Sequence, residues 1–168
     1  LGLNSKPIYE RENLSYSPAN GQLPAIQGLQ LATVVAISED PSAEYRVQVM
    51  LASTATGQQG TWASLSTFYA TQSAGAIFFP EVGDEVVVAF LENDPRYPVI
   101  MGSLYSKAKT PPVVPADNNN YIKALYTKSQ LKITFDDENK VITIATPGGN
   151  SVALNDQTQE IVVQDQSS

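Results

Sequence analysis

A repeat of about ten residues near the end of the chain most limits what the chain can fold into. Segments of about five residues that favour β-strands begin near Leu131, Val141, Ser151 and Ile161. Polar turns separate these segments, at residues 136–140, 146–150 and 156–160. Self-similarity at a fixed period is typical of stacked or solenoid architectures, so the sequence predicts a regular array of short strands.

The repeat carries too few large apolar side chains to fold as a sheet on its own. Ordering the chain costs conformational entropy that buried apolar surface has to offset, and a lone sheet would also leave two edges open. We therefore expect other chains to complete the sheet; three copies winding around one axis would bury the apolar residues inside and pair all the edges. The residues predicted to form this interface and core are Ile133, Phe135, Ile142, Ile144, Val152, Leu154, Ile161 and Val163.

Residues 77–105 contain two tight turns, each followed by a strand. Gly83 in the first turn can adopt the positive φ that a tight reversal needs, and Asp94 and Pro95 provide the chemistry of the second turn. The run 85–91 is apolar at nearly every position, which predicts a strand covered on both faces. A proline then begins the next strand, where it does least harm. The complete barrel motif comprises Pro80, Gly83, Asp84, Asp94, Pro95, Pro98 and Gly102.

Three earlier strands complete a predicted five-stranded Greek-key barrel. They are expected at 28–37, 45–51 and 62–65, and Tyr45, Val47 and Val49 are expected to share one face of the second. A stretch rich in proline and asparagine separates the barrel from the repeat. The sequence thus predicts an all-β protein with an extended lead-in at 1–27, a barrel at 28–105, a linker at 106–120 and the strand array at 121–168.

The barrel motif resembles the OB-fold module of VgrG-type spike proteins and of the central baseplate spike of contractile phages. The most specific part is the string Glu92-x-Asp94-Pro95-x-x-Pro98-x-Ile100-x-Gly102-x-Leu104-Tyr105. A second string resembles the start of the triple-stranded β-helix of the same family: Lys123-Ala124-x-x-Thr127-Lys128-Ser129-x-x-x-Ile133-x-Phe135-Asp136-Asp137. The chain departs from many VgrG proteins in the part that follows the second strand, where those proteins place a segment rich in tryptophan and histidine; here only Trp62 corresponds to that segment.

The resemblance implies a five-stranded OB-fold barrel followed by an intertwined trimeric β-helix. It also implies a structural spike of a contractile injection system, of the type VI secretion or phage-tail kind, in which a homotrimeric needle punctures the target-cell membrane. Its partners would be tube or hub proteins upstream, and a tip-capping protein and effectors downstream. Such a protein assembles in the cytoplasm and is then ejected, or belongs to a virion tail baseplate. The alternative is a carbohydrate- or receptor-binding OB module on a trimeric phage fibre or stalk.

Composition excludes several other classes of function. Cysteine and histidine are both absent, which removes disulfide frameworks, thiol nucleophiles and Ser-His-Asp catalysis. A net charge of −7 would repel a phosphate backbone, so no nucleic-acid partner is expected. No apolar run approaches the roughly 20 residues of a membrane helix. We expect no enzyme activity, no cofactor and no metal, and the start at Leu1 is typical of a fragment.

Two groups of carboxylates and one set of aromatic residues remain as candidates for chemistry. The acidic run 136–138 lacks the spacing and the glycine of a calcium loop, which favours a solvated turn. A catalytic carboxylate pair, as in glycoside hydrolysis, would have to come from Glu81, Asp84 and Glu85. A surface for stacking on sugars would use Trp62, Tyr69, Tyr97 and Tyr105, although packing within the barrel or an interface is the favoured interpretation.

Overall fold

The computed structural model describes residues 25–54 and 57–167. The lead-in predicted at 1–27 therefore lies almost entirely outside the described residues. The chain divides into two compact units, Leu1–Lys109 and Thr110–Ser168. Apart from a short 3-10 helical turn at Leu91–Asn93, the regular secondary structure described in both units consists of β-strands, which confirms the all-β prediction.

In the described part of the first unit, five of the seven strands close into a barrel in the order β1-β2-β3-β7-β6. Neighbouring strands are antiparallel except β3 and β7, which run parallel. Strands β4 and β5 form a separate small hairpin. This closed barrel confirms the predicted five-stranded OB-type barrel. The strands are β1 (Gln30–Ala36), β2 (Val47–Leu51), β3 (Thr61–Leu65), β4 (Ala70–Thr71), β5 (Ala74–Gly75), β6 (Glu85–Phe90) and β7 (Pro98–Ser103).

Small and β-branched side chains fill the barrel interior, because alternate residues of each strand point inward. In β1 the inward residues are Ala32 and Val34, whereas Leu31 and Val35 are exposed on the outside. The alternating set that contains the larger leucine therefore faces outward. The buried core consists of Ala32, Val34, Val47, Val49, Ala63, Val86, Val88, Phe90 and Ile100.

Tyr45 does not belong to the second strand, contrary to the prediction that it shares a face with Val47 and Val49. Its backbone has a φ of +60° and its side chain is 84% exposed. The carboxylate of Asp40 instead holds the backbone before β2, and it accepts the N–H of Arg46 at 3.2 Å. The strand therefore begins at Val47, because the residues before it are engaged in a turn.

Strand β6 lies between β1 and β7 in the barrel wall. Its inward residues Val86, Val88 and Phe90 are buried, whereas the alternate residues of the strand are only partly covered. The prediction of a strand covered on both faces is therefore confirmed for the inner face. Cover of the outer face by a neighbouring protomer or by the lead-in segment stays a prediction.

The second unit is a five-stranded antiparallel meander in which each strand pairs with the next along the chain. Four of its strands begin within one residue of the predicted positions, and one further strand, β8, precedes them. The winding of three chains around a common axis stays a prediction, because the structure contains one chain. The strands are β8 (Ile122–Tyr126), β9 (Lys132–Asp136), β10 (Val141–Ala145), β11 (Ser151–Asn155) and β12 (Glu160–Gln164).

Candidate functional site

One face of the meander carries all eight residues that the sequence predicts for the needle core. Residues directly opposite each other on paired strands lie on the same side of a sheet. The register therefore places the eight side chains in two rows across the strands. One row is Phe135, Ile142, Leu154 and Ile161, and the other is Ile133, Ile144, Val152 and Val163. We call this surface the apolar sheet face; Leu125 of β8 extends the second row.

The apolar sheet face is largely open to solvent in the single chain. Ile144 in the middle of the sheet is 50% exposed, and Ile161 and Val163 on the last strand are 72% and 75% exposed. The opposite face carries mostly small and polar side chains, among them Thr134, Thr143, Ala153, Ser151 and Asn155. The meander is thus amphipathic, with most of its large aliphatic groups on one side, whereas Ile122, Val141 and Val162 lie on the opposite face.

The first turn of the barrel motif ties β6 to β1. Gly83 has a φ of +90°, and its N–H donates to the carbonyl of Val34 at 2.8 Å. The Asp84 carboxylate accepts the N–H of Glu81 at 2.9 Å and an ion pair from Lys109, also at 2.9 Å. Pro80 is buried at the start of the turn. These residues position the barrel wall, and Asp84 is engaged in structural contacts.

The second turn, between β6 and β7, is held by an aspartate that is almost completely buried. Asp94 has 3% of its surface exposed, and it accepts the backbone N–H of Arg96 at 3.0 Å. The guanidinium of Arg96 also donates to both carboxylate oxygens, and this hydrogen bonding lowers the pKa of Asp94. Pro98 is buried where β7 begins. A Cβ on Gly102 would meet no atom within 4 Å, so nothing in the barrel requires glycine there.

A second Asp-Pro turn, between β1 and β2, has the same construction; the sequence predicts the turn at Glu39-Asp40-Pro41 but not the pairing of Asp40 with Arg46. Asp40 accepts hydrogen bonds from Nε and Nη2 of Arg46 at 3.1 and 2.7 Å, and these bonds hold the pKa of Asp40 well below its usual range. The shared sequence signal is an Asp-Pro pair followed by arginine, at Asp94-Pro95-Arg96 and at Asp40-Pro41 before Arg46. Both turns are therefore fixed by an aspartate–arginine clamp.

The two clamps lie beside a cleft of about 370 Å³ in the outer wall of the barrel, which we call the barrel cleft. It is lined by Glu44, Arg46, Trp62, Ser64, Leu91, Arg96, Tyr97, Pro98 and Val99. The structure thus brings together two of the four aromatic residues that the sequence analysis considered for sugar stacking, Trp62 and Tyr97. Tyr69 and Tyr105 do not line the cleft. Trp62 is half-buried and outside the core, because its neighbour Ala63 takes the inward position of β3.

The acidic candidates form structural contacts within the described residues. Asp136 accepts hydrogen bonds from the backbone and side-chain amides of Asn139, which lower its pKa. Asp137 pairs with Lys123 on the neighbouring strand. Across residues 25–54 and 57–167, the acidic side chains form no group of three or more arranged to hold a metal ion. In the same residues, no helix is long and apolar enough to cross a membrane.

The sequence of the barrel matches a known protein family. Residues 30–105 match the family described as the type VI secretion system/phage-baseplate injector OB domain. The match begins at the first residue of β1 and ends just after β7, so it covers the complete barrel. It does not extend into the meander.

Several spike proteins of type VI secretion systems are similar to part of the chain. The spike protein VgrG1c of Pseudomonas aeruginosa is 41% identical over 51 residues, which are 30% of this chain and 7% of that protein. The spike protein VgrG3 of Vibrio cholerae is 35% identical over 57 residues, 34% of this chain and 6% of that protein. The matched segments thus span less than a tenth of these relatives.

A third relative is named for a toxin. The actin cross-linking toxin VgrG1 of Vibrio cholerae is 40% identical over 55 residues, which are 33% of this chain and 5% of the toxin. Because the match covers so small a share of the toxin, it carries no information about the toxin's activity.

Proposed function

The barrel belongs to the family of type VI secretion system and phage-baseplate injector OB domains, and from this premise we propose that the chain is part of a homotrimeric, membrane-puncturing spike. The observation that carries the proposal is the apolar sheet face, because a family assignment of the barrel alone says nothing about the meander. Eight large apolar side chains lie there in two straight rows, and most of them are exposed in one chain. Monomeric proteins rarely expose an apolar surface of this extent, so we expect another protein chain to pack against it.

Three identical meanders around a three-fold axis would cover one another. With the apolar sheet faces turned toward the axis, each row would meet two identical rows at the same height. The polar faces would then point to solvent. A cyclic trimer is closed, so the same patch on each copy is used once and no apolar surface is left over.

The arrangement suits a mechanical role. Strands that lie across the axis and pair along it form a continuous hydrogen-bonded rod, and the edges of the sheet, which are open in one chain, would be paired or protected. Such a rod resists buckling when the injection machine drives it forward. The role requires no catalysis, which accords with the absence of histidine and cysteine from the chain.

Further partners follow from the place of such a spike in an injection machine. Upstream, the barrel would attach to tube or hub proteins; downstream, the needle would carry a tip-capping protein and effectors. The trimer would assemble in the cytoplasm and be ejected toward the target-cell membrane, or it would reside in the baseplate of a virion tail. These partners and locations are proposals that rest on the family of the barrel.

The test uses one residue of the apolar sheet face and its neighbour on the same strand. Ile144→Asp would place three like charges close to the axis, each with a desolvation cost of several kcal/mol in addition to their mutual repulsion. We expect loss of the trimer and of protease resistance after the linker, with a surviving fragment that ends near Thr110. Size-exclusion chromatography with limited proteolysis measures both effects.

The matched control is Thr143→Asp, which adds the same charge to the opposite face of β10. This variant should stay trimeric and resistant to protease. If Ile144→Asp stays trimeric and Thr143→Asp does not, the faces are assigned the wrong way round. If both variants remain intact trimers, the apolar sheet face is not the interface.

A further inference from the structure

The barrel cleft overlaps the part of the barrel that OB folds use to hold extended ligands. Its walls come from β3 and the start of β7, from the turn that precedes β2 and from the turn before β7. In OB folds the second and third strands, with the loops between strands 1 and 2 and between strands 4 and 5, bind oligonucleotides and oligosaccharides. The cleft shares the third strand and both of these loops with that site, and its remaining wall comes from β7. Its volume, about 370 Å³, lies at the small end of ligand pockets, which range from roughly 300 to 1,000 Å³.

Two aromatic side chains in the cleft provide platforms for stacking. Trp62 is half-buried on the outer side of β3, and Tyr97 at the end of the turn is 56% exposed. The guanidinium of Arg96 lies 5.6 Å from the centre of the Tyr97 ring, which restrains the ring. Aromatic rings fixed at a partly wet surface bind ligands that combine an apolar face with a polar edge. A sugar ring has this character, since its C–H groups form flat patches between its hydroxyl groups.

The polar groups of the cleft are held in place before any ligand arrives. Arg46 is fixed by Asp40 and Arg96 by Asp94, in each case through two or more hydrogen bonds. Ser64 adds a hydroxyl group, and the exposed Glu44 adds an acceptor. Planar donors and acceptors at fixed positions suit pairs of neighbouring hydroxyl groups. Because the clamps keep these side chains ordered, less entropy is lost on binding.

The charges of the cleft disfavour a polyanion. Its two arginines are already paired with Asp40 and Asp94, and Glu44 lies 3.3 Å from Nε of Arg46. The three carboxylates outnumber the two guanidinium groups, so the site offers no net positive charge to a phosphate backbone. The whole chain carries a net charge of −7. Of the two ligand classes that OB folds bind at this position, the charges favour the uncharged one.

We propose that the barrel cleft binds a short, uncharged oligosaccharide, with one or two sugar rings stacked between Trp62 and Tyr97. The hydroxyl groups of the sugar would bond to the clamped arginines, Ser64 and Glu44. This inference concerns the outer wall of the barrel and does not depend on the oligomeric state of the meander. Its failure would therefore leave the proposed spike function intact.

The experiment exploits the fact that Trp62 is the one tryptophan of the chain. The intact protein is titrated with the trisaccharides chitotriose, maltotriose and cellotriose while the tryptophan fluorescence and the heat of binding are recorded. At least one trisaccharide should bind and change the fluorescence. Tyr97→Ala should weaken that binding about tenfold, as expected for the loss of one stacking partner, while Tyr97→Phe should retain it.

Tyr105→Ala is the control, because Tyr105 is 70% exposed on the same unit and does not line the cleft. This variant should bind as the parent does. If Tyr97→Ala fails to fold, Glu44→Ala, at an exposed loop position, is the substitute variant. The proposal then requires that Glu44→Ala weakens binding of the trisaccharide. The proposal is wrong if none of the three sugars binds, or if Tyr97→Ala binds unchanged. It is equally wrong if acrylamide cannot quench Trp62 in the intact protein, because the cleft would then be closed to ligands from solution.

Discussion

The barrel and the meander use similar side chains but bury them differently. In the barrel, nine residues form a core, and six of their side chains are completely enclosed. In the described part of the second unit, no residue reaches that degree of burial, although Ile142, Ile144 and Leu154 are as apolar as the residues of the barrel core. A closed barrel encloses an interior within one chain. A single sheet encloses none, so its side chains become buried only when another element packs against one of its faces.

This difference teaches where each region obtains its stability. Closure lets five short strands surround their own apolar residues, so the barrel has what it needs within one chain. The meander satisfies its backbone hydrogen bonds between neighbouring strands but leaves its aliphatic rows uncovered. The first region is therefore expected to unfold independently of protein concentration, and the second to depend on assembly.

The largest effect is expected from a charge in the barrel core. Val88→Asp would bury an unpaired carboxylate at a position with 0% exposure, and we expect a loss of about 3–5 kcal/mol in the free energy of unfolding. Denaturant unfolding followed by Trp62 fluorescence measures this loss. Val87→Asp, one residue away on the partly exposed outer face, should cost far less. Equal losses for the two variants would mean that the barrel interior is not where the structure places it.

A smaller loss of stability is expected when one of two barrel glycines, Gly60 but not Gly102, is replaced by alanine. An added Cβ at Gly60 would lie 2.8 Å from the carbonyl oxygen of Val49 and 3.0 Å from the side chain of Val35, whereas at Gly102 it would meet nothing within 4 Å. Gly60→Ala should therefore lower the free energy of unfolding by about 1–3 kcal/mol, the usual range for overpacking. Gly102→Ala should leave the barrel's stability nearly unchanged. Destabilisation by Gly102→Ala that appears only in the assembled protein would place Gly102 at a contact between chains.

The smallest effect is a dependence of barrel stability on pH. Hydrogen bonds from Arg96 lower the pKa of Asp94 in the folded barrel, and those from Arg46 lower the pKa of Asp40. A lowered pKa gives stability that is complete above the unfolded value, about 3.9, and is lost as the pH falls through the folded value. Barrel stability should therefore decrease below about pH 4. Asp94→Asn should be less stable than the parent at pH 7 and should show a shallower acid dependence, as measured by denaturant unfolding across pH.

Much of this architecture could be predicted from the sequence, because the deciding interactions are local. The ten-residue spacing placed β9 to β12 within one residue of their observed starts. The alternation within each strand then assigned its apolar residues to a common face. Strand β8 was not predicted separately, because Lys123 interrupts the alternation of apolar residues in that strand.

Contacts that depend on the path of a turn could not be predicted. Asp40 and Arg46 are six residues apart, and their pairing exists because the intervening turn folds back on itself. In β3, Ala63 points into the barrel and Trp62 does not. The narrow width of the barrel determines which of the two faces inward, and the sequence does not show that width. The barrel cleft combines residues from three separate stretches of the sequence, 44–46, 62–64 and 91–99, so the aromatic residues gave a list of candidates without their grouping.

The central claim, that the meander is completed by two further copies of the chain, is tested most directly by the mass of the protein in solution. The chain has a mass of 18.1 kDa. Multi-angle light scattering on residues 1–168 should give about 54 kDa, three times that value, with the meander resistant to protease. A monomer of 18.1 kDa whose meander remains folded and resistant would contradict the account, because the apolar sheet face would then be stable without a cover.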